Sequence, residues 1–93
     1  MMTREDINIA ISVYCGNNGY KDLNVRDFYG DLNEMRKAEL CLWRDECLVE
    51  KYEEYLRKEY LNAVGYQGCS CWFMAGAGIR AIAFLKTVGL WKD

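Results

Sequence analysis

Apolar residues recur with a helical period in four stretches of this chain. In the first, Ile7, Ala10, Ile11 and Tyr14 stand at i, i+3, i+4 and i+7, the spacing that stacks side chains on one face of a helix. Thr3 and Asp6 ahead of them form a capping-box pattern, with Asp in place of the usual Glu or Gln, and Gly16 with the Asn17-Asn18-Gly19 cluster ends the run. A second stretch opens at Asp31, with Glu34 suited to the positive end of a helix dipole. It is expected to bury Leu32, Met35, Ala38 and Leu42 and to stop near Trp43 or Arg44. Asp45 and Glu46 start the third, which carries Leu48, Tyr52, Tyr55 and Leu56 on one side. On its other side Glu53 precedes Arg57, and Glu54 precedes Lys58, at i, i+4.

The fourth stretch, residues 75–91 (AGAGIRAIAFLKTVGLW), behaves differently. Ala77, Ala81, Phe84, Leu85 and Val88 make one apolar stripe, yet Ile79, Ile82 and Ala83 lie outside it, and only Arg80 and Lys86 bring charge to the remaining circumference. A helix apolar nearly all round is either enclosed by its own domain or covered by a partner. Gly89 occupies the place of a left-handed C-terminal cap and Leu90 that of its hydrophobic contact, so the helix is predicted to end near Val88. Gly76 and Gly78 precede it without the pattern of a phosphate-binding loop, and read as a cap and a point of close packing.

The connections are less periodic. Residues 20–28 have mixed polarity, which suits a loop or a short edge strand. Residues 60–73 (YLNAVGYQGCSCWF) contain Gly65 and Gly68 with the strand-type side chains Val64, Tyr66, Trp72 and Phe73, which predicts one or two short strands. The expected architecture is therefore α+β and helix-rich: a single domain over residues 1–93, with three to four helices flanking a short β element of one to three strands.

Composition excludes several functions. Hydrophobic residues make up 52% of the chain, with seven Tyr and three Trp, which argues for a folded globule. A net charge of -2, from 12 basic and 14 acidic residues, supplies no strong field for nucleic acid. A weak contact through Arg36, Lys37 and Arg44 is the most that nucleic acid binding finds here. The chain has no histidine, and its cysteines, Cys15, Cys41, Cys47, Cys69 and Cys71, are spaced as C-x-C and C-x5-C, unlike paired zinc ligands. Free thiols, no metal and no cofactor are expected. Catalysis lacks its usual general base, and the carboxylate pairs Asp27 with Asp31 and Glu50 with Glu54 read as helix starts and solvated faces, so the chain is not expected to be an enzyme. Arg80 interrupts the most apolar run, which excludes a membrane span of about twenty residues. The first residues are too polar for a signal peptide, so a cytoplasmic location in a bacterial host is expected.

Three segments carry a resemblance. Residues 3–11 (TREDINIAI), residues 31–35 (DLNEM) with Ala38-Glu39, and Arg80-Ala81 with residues 83–91 (AFLKTVGLW) resemble small phage and prophage proteins of the phage ABA sandwich type. The match covers about half of the chain, and its motifs are core and cap residues. The resemblance implies helices flanking a small sheet and a phage origin, and no catalytic role. In the family pattern the positions of Ile79 and Ile82 are commonly polar; here both are Ile. The segment from Tyr60 to Gly76 also departs from it.

The function these features favour is a phage-encoded protein-binding factor without enzymatic activity, docking on a host protein as an inhibitor of a bacterial defence system such as CRISPR-Cas. Trp72, Phe73, Ile79, Arg80, Ile82, Lys86 and Trp91 are its expected contact residues, because aromatic and Arg anchors dominate many interfaces. The alternative is a self-associating structural or regulatory phage protein that uses the same face in a homodimer.

Overall fold

A computed structural model of the chain describes residues 2–17, 26–64 and 75–92. Its elements are four helices, α1 (Arg4–Asn17), α2 (Leu32–Glu39), α3 (Glu46–Val64) and α4 (Ala77–Val88).

The caps form where the sequence places them. Thr3 N–H donates to Asp6 Oδ2 and Asp6 N–H to Thr3 Oγ1, both at 3.1 Å, so the capping box of α1 closes in both directions with Asp at its fourth position. Asp31 caps α2 by accepting the N–H groups of Asn33 (2.9 Å) and Glu34 (3.4 Å), and Asp45 accepts that of Cys47 at 2.9 Å where α3 begins. Helix α2 is shorter than its apolar spacing predicts. From Cys41 to Trp43 the chain tightens into i to i+3 hydrogen bonds, beginning with Cys41 N–H to Ala38 O at 2.9 Å, and these turns still carry Leu42 into the core.

Helix α4 is the hub. It packs against each of the other three helices, and Ala77, Ala81, Ala83, Phe84, Leu85 and Thr87 on it are all buried. Most of the near-continuous apolar circumference is thus absorbed within the domain, with Ile79, Ile82 and Val88 half-buried. Its small residues let neighbouring backbones approach, and Phe84 sets its ring between those of Tyr14 on α1 and Tyr52 on α3. Both contacts are edge-on, with centroids 5.5 and 6.4 Å away. At Gly78 a Cβ would stand 3.2 Å from the Tyr29 ring, so the missing side chain is what admits Tyr29 against the first turn of α4. The helix ends as expected: Gly89 has φ +78°, and the N–H groups of Gly89 and Leu90 both reach Leu85 O. Gly89→Ala is expected to lower stability by about 1 kcal/mol in chemical denaturation, the cost of a Cβ in the left-handed region.

The α+β expectation is corrected: among the described residues the protein is all-helical, with no sheet. The strand assigned within residues 60–73 fails first at its start. Tyr60 to Val64 continue α3, because Tyr60 extends the i, i+4 series of Tyr52 and Leu56 and packs on the same core. β-propensity at Tyr60 and Val64 yields to that stripe. Tyr66, Trp72 and Phe73, and residues 20–25 of the suggested edge strand, lie outside the described residues.

A polar clamp ties the turn at Phe28–Gly30 to α1. Buried Asn8 accepts the N–H of Tyr29 at 2.9 Å and donates to Asp27 Oδ1 at 3.1 Å, while Arg4 pairs with Asp27 and leans over the Tyr29 ring. The Arg4 hydrogen bond holds the Asp27 carboxyl below its usual range, and the Thr3 cap does the same for Asp6. Both groups have a lower pKa folded than unfolded. Their stabilisation is therefore present above the ordinary carboxylate pKa and is lost as pH falls through the depressed folded values. Stability measured across acid pH is expected to fall less steeply in Asp27→Asn than in the wild type.

Candidate interaction surface

The residues expected to bind a partner occupy several different environments. Ile79 and Ile82 are half-buried and pack against the core. Arg80 is nearly enclosed: Nη1 donates to Glu39 Oε2 at 2.9 Å and to Oε1 at 3.2 Å, and Nε donates to Ala75 O at 2.9 Å. Tyr52 Oη completes the network with a 2.6 Å hydrogen bond to Glu39 Oε2. Burial, then the Glu39 charge, pushes the Tyr52 hydroxyl far above its ordinary pKa, so it serves as a donor. Lys86 pairs with Glu59 on α3 and lies over the Trp91 ring, 5.6 Å from its centroid. These contacts join α4 to α2, α3 and the C-terminal tail. Trp72 and Phe73 lie outside the described residues.

Uncovered apolar surface occurs elsewhere. Helix α1 buries Ile7, Asn8, Ile11 and Cys15, and its opposite side carries Ile9 and Val13, four residues apart and therefore on one face. Val13 is 56% exposed and Ile9 43%. The C-terminal tail returns beside them, with Lys92 N–H directed at Met2 Sδ (3.4 Å). Met2, Ile9, Ala10, Val13 and Leu90 then line an open groove of about 620 Å³, with Asp6 and Lys92 as its charged residues.

A second exposed pair, Leu40 and Trp43, sits on the turns after α2, with Trp43 67% exposed. Together with Arg36 these residues border a smaller cavity of about 310 Å³ that reaches Glu39 and Arg80. The basic trio considered for nucleic acid is partly engaged, since Lys37 pairs with Glu34 at 3.2 Å.

Helical periodicity does not single out Ile9, Val13, Leu40 and Trp43, because it marks residues that line up with a core stripe and these lie off it. A usable signal was present in α1. Ile9 and Val13 lie off the Ile7/Ile11 stripe, as Ile79 and Ile82 lie off that of α4. The difference is that, among the described residues, α4 packs against all three other helices and half-buries Ile79 and Ile82, while no described helix covers Ile9 and Val13.

The carboxylate pairs take up structural tasks: Asp27 and Asp31 hold the turn and cap α2, and Glu54 pairs with Lys58 at 3.2 Å on an exposed face. Among the described residues there is no cluster of three or more Cys, Asp or Glu placed to hold a metal, and no helix long and apolar enough to cross a membrane. No protein family, curated protein or solved structure matches the chain.

Proposed function

We propose that this protein is a non-enzymatic protein-binding factor that docks through the outer face of α1 and the adjoining tail. The observation that carries the reading is the groove formed by Met2, Ile9, Val13 and Leu90, a continuous apolar surface rimmed by charge. The proposed occupant is a protein of a bacterial host, a component of a defence system, as for a phage-encoded inhibitor. The resemblance of residues 3–11 and 83–91 to small phage proteins supports this assignment. The groove moves the proposed contact residues from Ile79 and Ile82, which pack against the core, to Ile9 and Val13.

The test compares two substitutions of the same kind. Val13→Glu is expected to keep stability within about 0.5 kcal/mol, since the side chain faces water, and to weaken capture of the host protein at least about tenfold. Ile82→Glu is expected to lose about 1–3 kcal/mol of stability, because it places a carboxylate against the core. Thermal denaturation and salt-resistant affinity capture from a bacterial lysate read both quantities. Equal capture by wild type and Val13→Glu sinks the assignment of this face.

A second reading, homodimerisation through the same groove, is favoured by one detail. Asp6 and Lys92 carry opposite charges on one surface, so a twofold arrangement can set each opposite the other in the partner copy. Light scattering distinguishes the readings: a dimer that becomes monomeric in Val13→Glu supports self-association, and a monomer at high concentration removes it.

A further inference from the structure

Two cysteines from different parts of the fold meet beneath the turn after α2. Cys15, in the last turn of α1, places Sγ 4.0 Å from Ala38 O. Cys41 donates its backbone N–H to that same carbonyl oxygen at 2.9 Å. Cys15 Sγ and the Cys41 backbone therefore meet at one point of the α2 terminus, which brings the Cys41 side chain next to the Cys15 thiol. Their access differs: Cys15 is buried, Cys41 is half-buried, and both are free thiols. Cys47, the third described cysteine, is exposed and serves α3 only through its backbone N–H.

We propose that Cys41 is a thiol-exchange site for low-molecular-weight disulfides, with Cys15 as its resolving partner, so that oxidation locks the end of α1 to the end of α2. With oxidised glutathione as the disulfide, the Cys41 thiolate attacks one sulfur. A Cys41–glutathione bond forms, the glutathione S–S bond breaks and one glutathione thiolate leaves. Cys15 then loses its proton and attacks Cys41 Sγ, which forms the Cys15–Cys41 bond and expels the second glutathione thiolate. The two protein thiols are oxidised, one glutathione disulfide is reduced, and the two protons released pass to the two glutathione thiolates. Exposure sets the order, because the reagent reaches Cys41 and not the enclosed Cys15. Burial, followed by the neighbouring Cys41, pushes the Cys15 thiol well above its ordinary pKa, which makes the second step the slow one.

The experiment uses the reduced full chain incubated with oxidised glutathione, quenched with an alkylating agent and digested with trypsin without reductant. Cleavage after Lys21, Arg36, Lys37, Arg44 and Lys51 separates Cys15, Cys41 and Cys47 into three peptides. Mass spectrometry is expected to find glutathione on Cys41 early, replaced later by a disulfide joining the Cys15 and Cys41 peptides. The conversion is expected to accelerate with pH by about tenfold per unit, as ionisation of the buried thiol requires. Cys15→Ala is expected to stop at glutathionylated Cys41. Should that variant fail to fold, the wild-type order of products and its pH dependence still decide the matter. Persistent glutathionylation of Cys41 without cross-linking in the wild type, or cross-links confined to the other cysteines, would overturn the proposal.

Discussion

Arg80→Met is expected to lower the free energy of unfolding by about 3–5 kcal/mol, the cost of stranding a buried carboxylate. The Arg80 and Glu39 side chains are only 11% and 10% exposed, so each has little water to replace a lost partner. Without the guanidinium, Glu39 keeps a single described hydrogen bond, from Tyr52 Oη, and Ala75 O loses the one from Arg80 Nε. A domain of this length has about 5–14 kcal/mol in total, so the loss is a large part of it. The double substitution Glu39→Met with Arg80→Met is expected to recover most of the stability, because well-packed apolar groups replace a buried pair at little cost. Urea denaturation of the two single variants and the double one gives the coupling directly. If Arg80→Met alone changes stability by less than about 1 kcal/mol, the pair is solvated and its enclosure is wrong. The result bears on function too: Arg80 has the profile of an interface anchor in the sequence, and a binding assay on Arg80→Ala alone would mistake unfolding for a lost contact.

The second large effect is expected from Phe84→Ala, at about 3–5 kcal/mol. Phe84 is fully buried on the hub helix and meets Tyr14 and Tyr52 edge-on. Truncation therefore opens a cavity where α1, α3 and α4 converge and removes two aromatic contacts of about 0.5–1.5 kcal/mol each. Phe84→Leu, which keeps most of the volume, is expected to cost less than half as much. Near-ultraviolet circular dichroism on the same samples should register the changed surroundings of Tyr14 and Tyr52. Equal stability of the Ala and Leu variants would mean that retained volume contributes nothing, against the cavity argument, and that the loss is wholly that of the ring contacts.

Much of the helical framework is legible before any coordinates. Thr3 and Asp6, Asp31, and Asp45 announce helix starts because their carboxyl and hydroxyl oxygens satisfy backbone N–H groups within two or three residues, and such contacts are decided locally. Gly89 announces a helix end for the same kind of reason. Reading residues 60–64 as strand failed where a local preference met a longer pattern. Tyr60 and Val64 suit strands in isolation, but partly buried Tyr60 continues the core-facing series of Tyr52 and Leu56, and burial outweighs propensity. The interaction surface was the least legible part. Ile79, Ile82, Ile9 and Val13 are alike as letters, each an apolar residue off the main stripe of its helix.

The chain alone thus determined where α1, α2 and α3 begin, where α4 ends, and which face of each carries the core, since caps and 3.6-residue periodicity act over one or two turns. Tertiary structure alone decided which surplus apolar residues are covered. Placing α4 at the centre packs Ile79 and Ile82 half-buried against the core and turns Arg80 inward to Glu39, while the end of α1 meets the end of α2 at Cys15 and Cys41 and leaves Ile9 and Val13 facing outward. The physical reason is that burial is a property of neighbours. Residues distant in sequence supply them, and no periodicity within one helix records whether another helix will arrive.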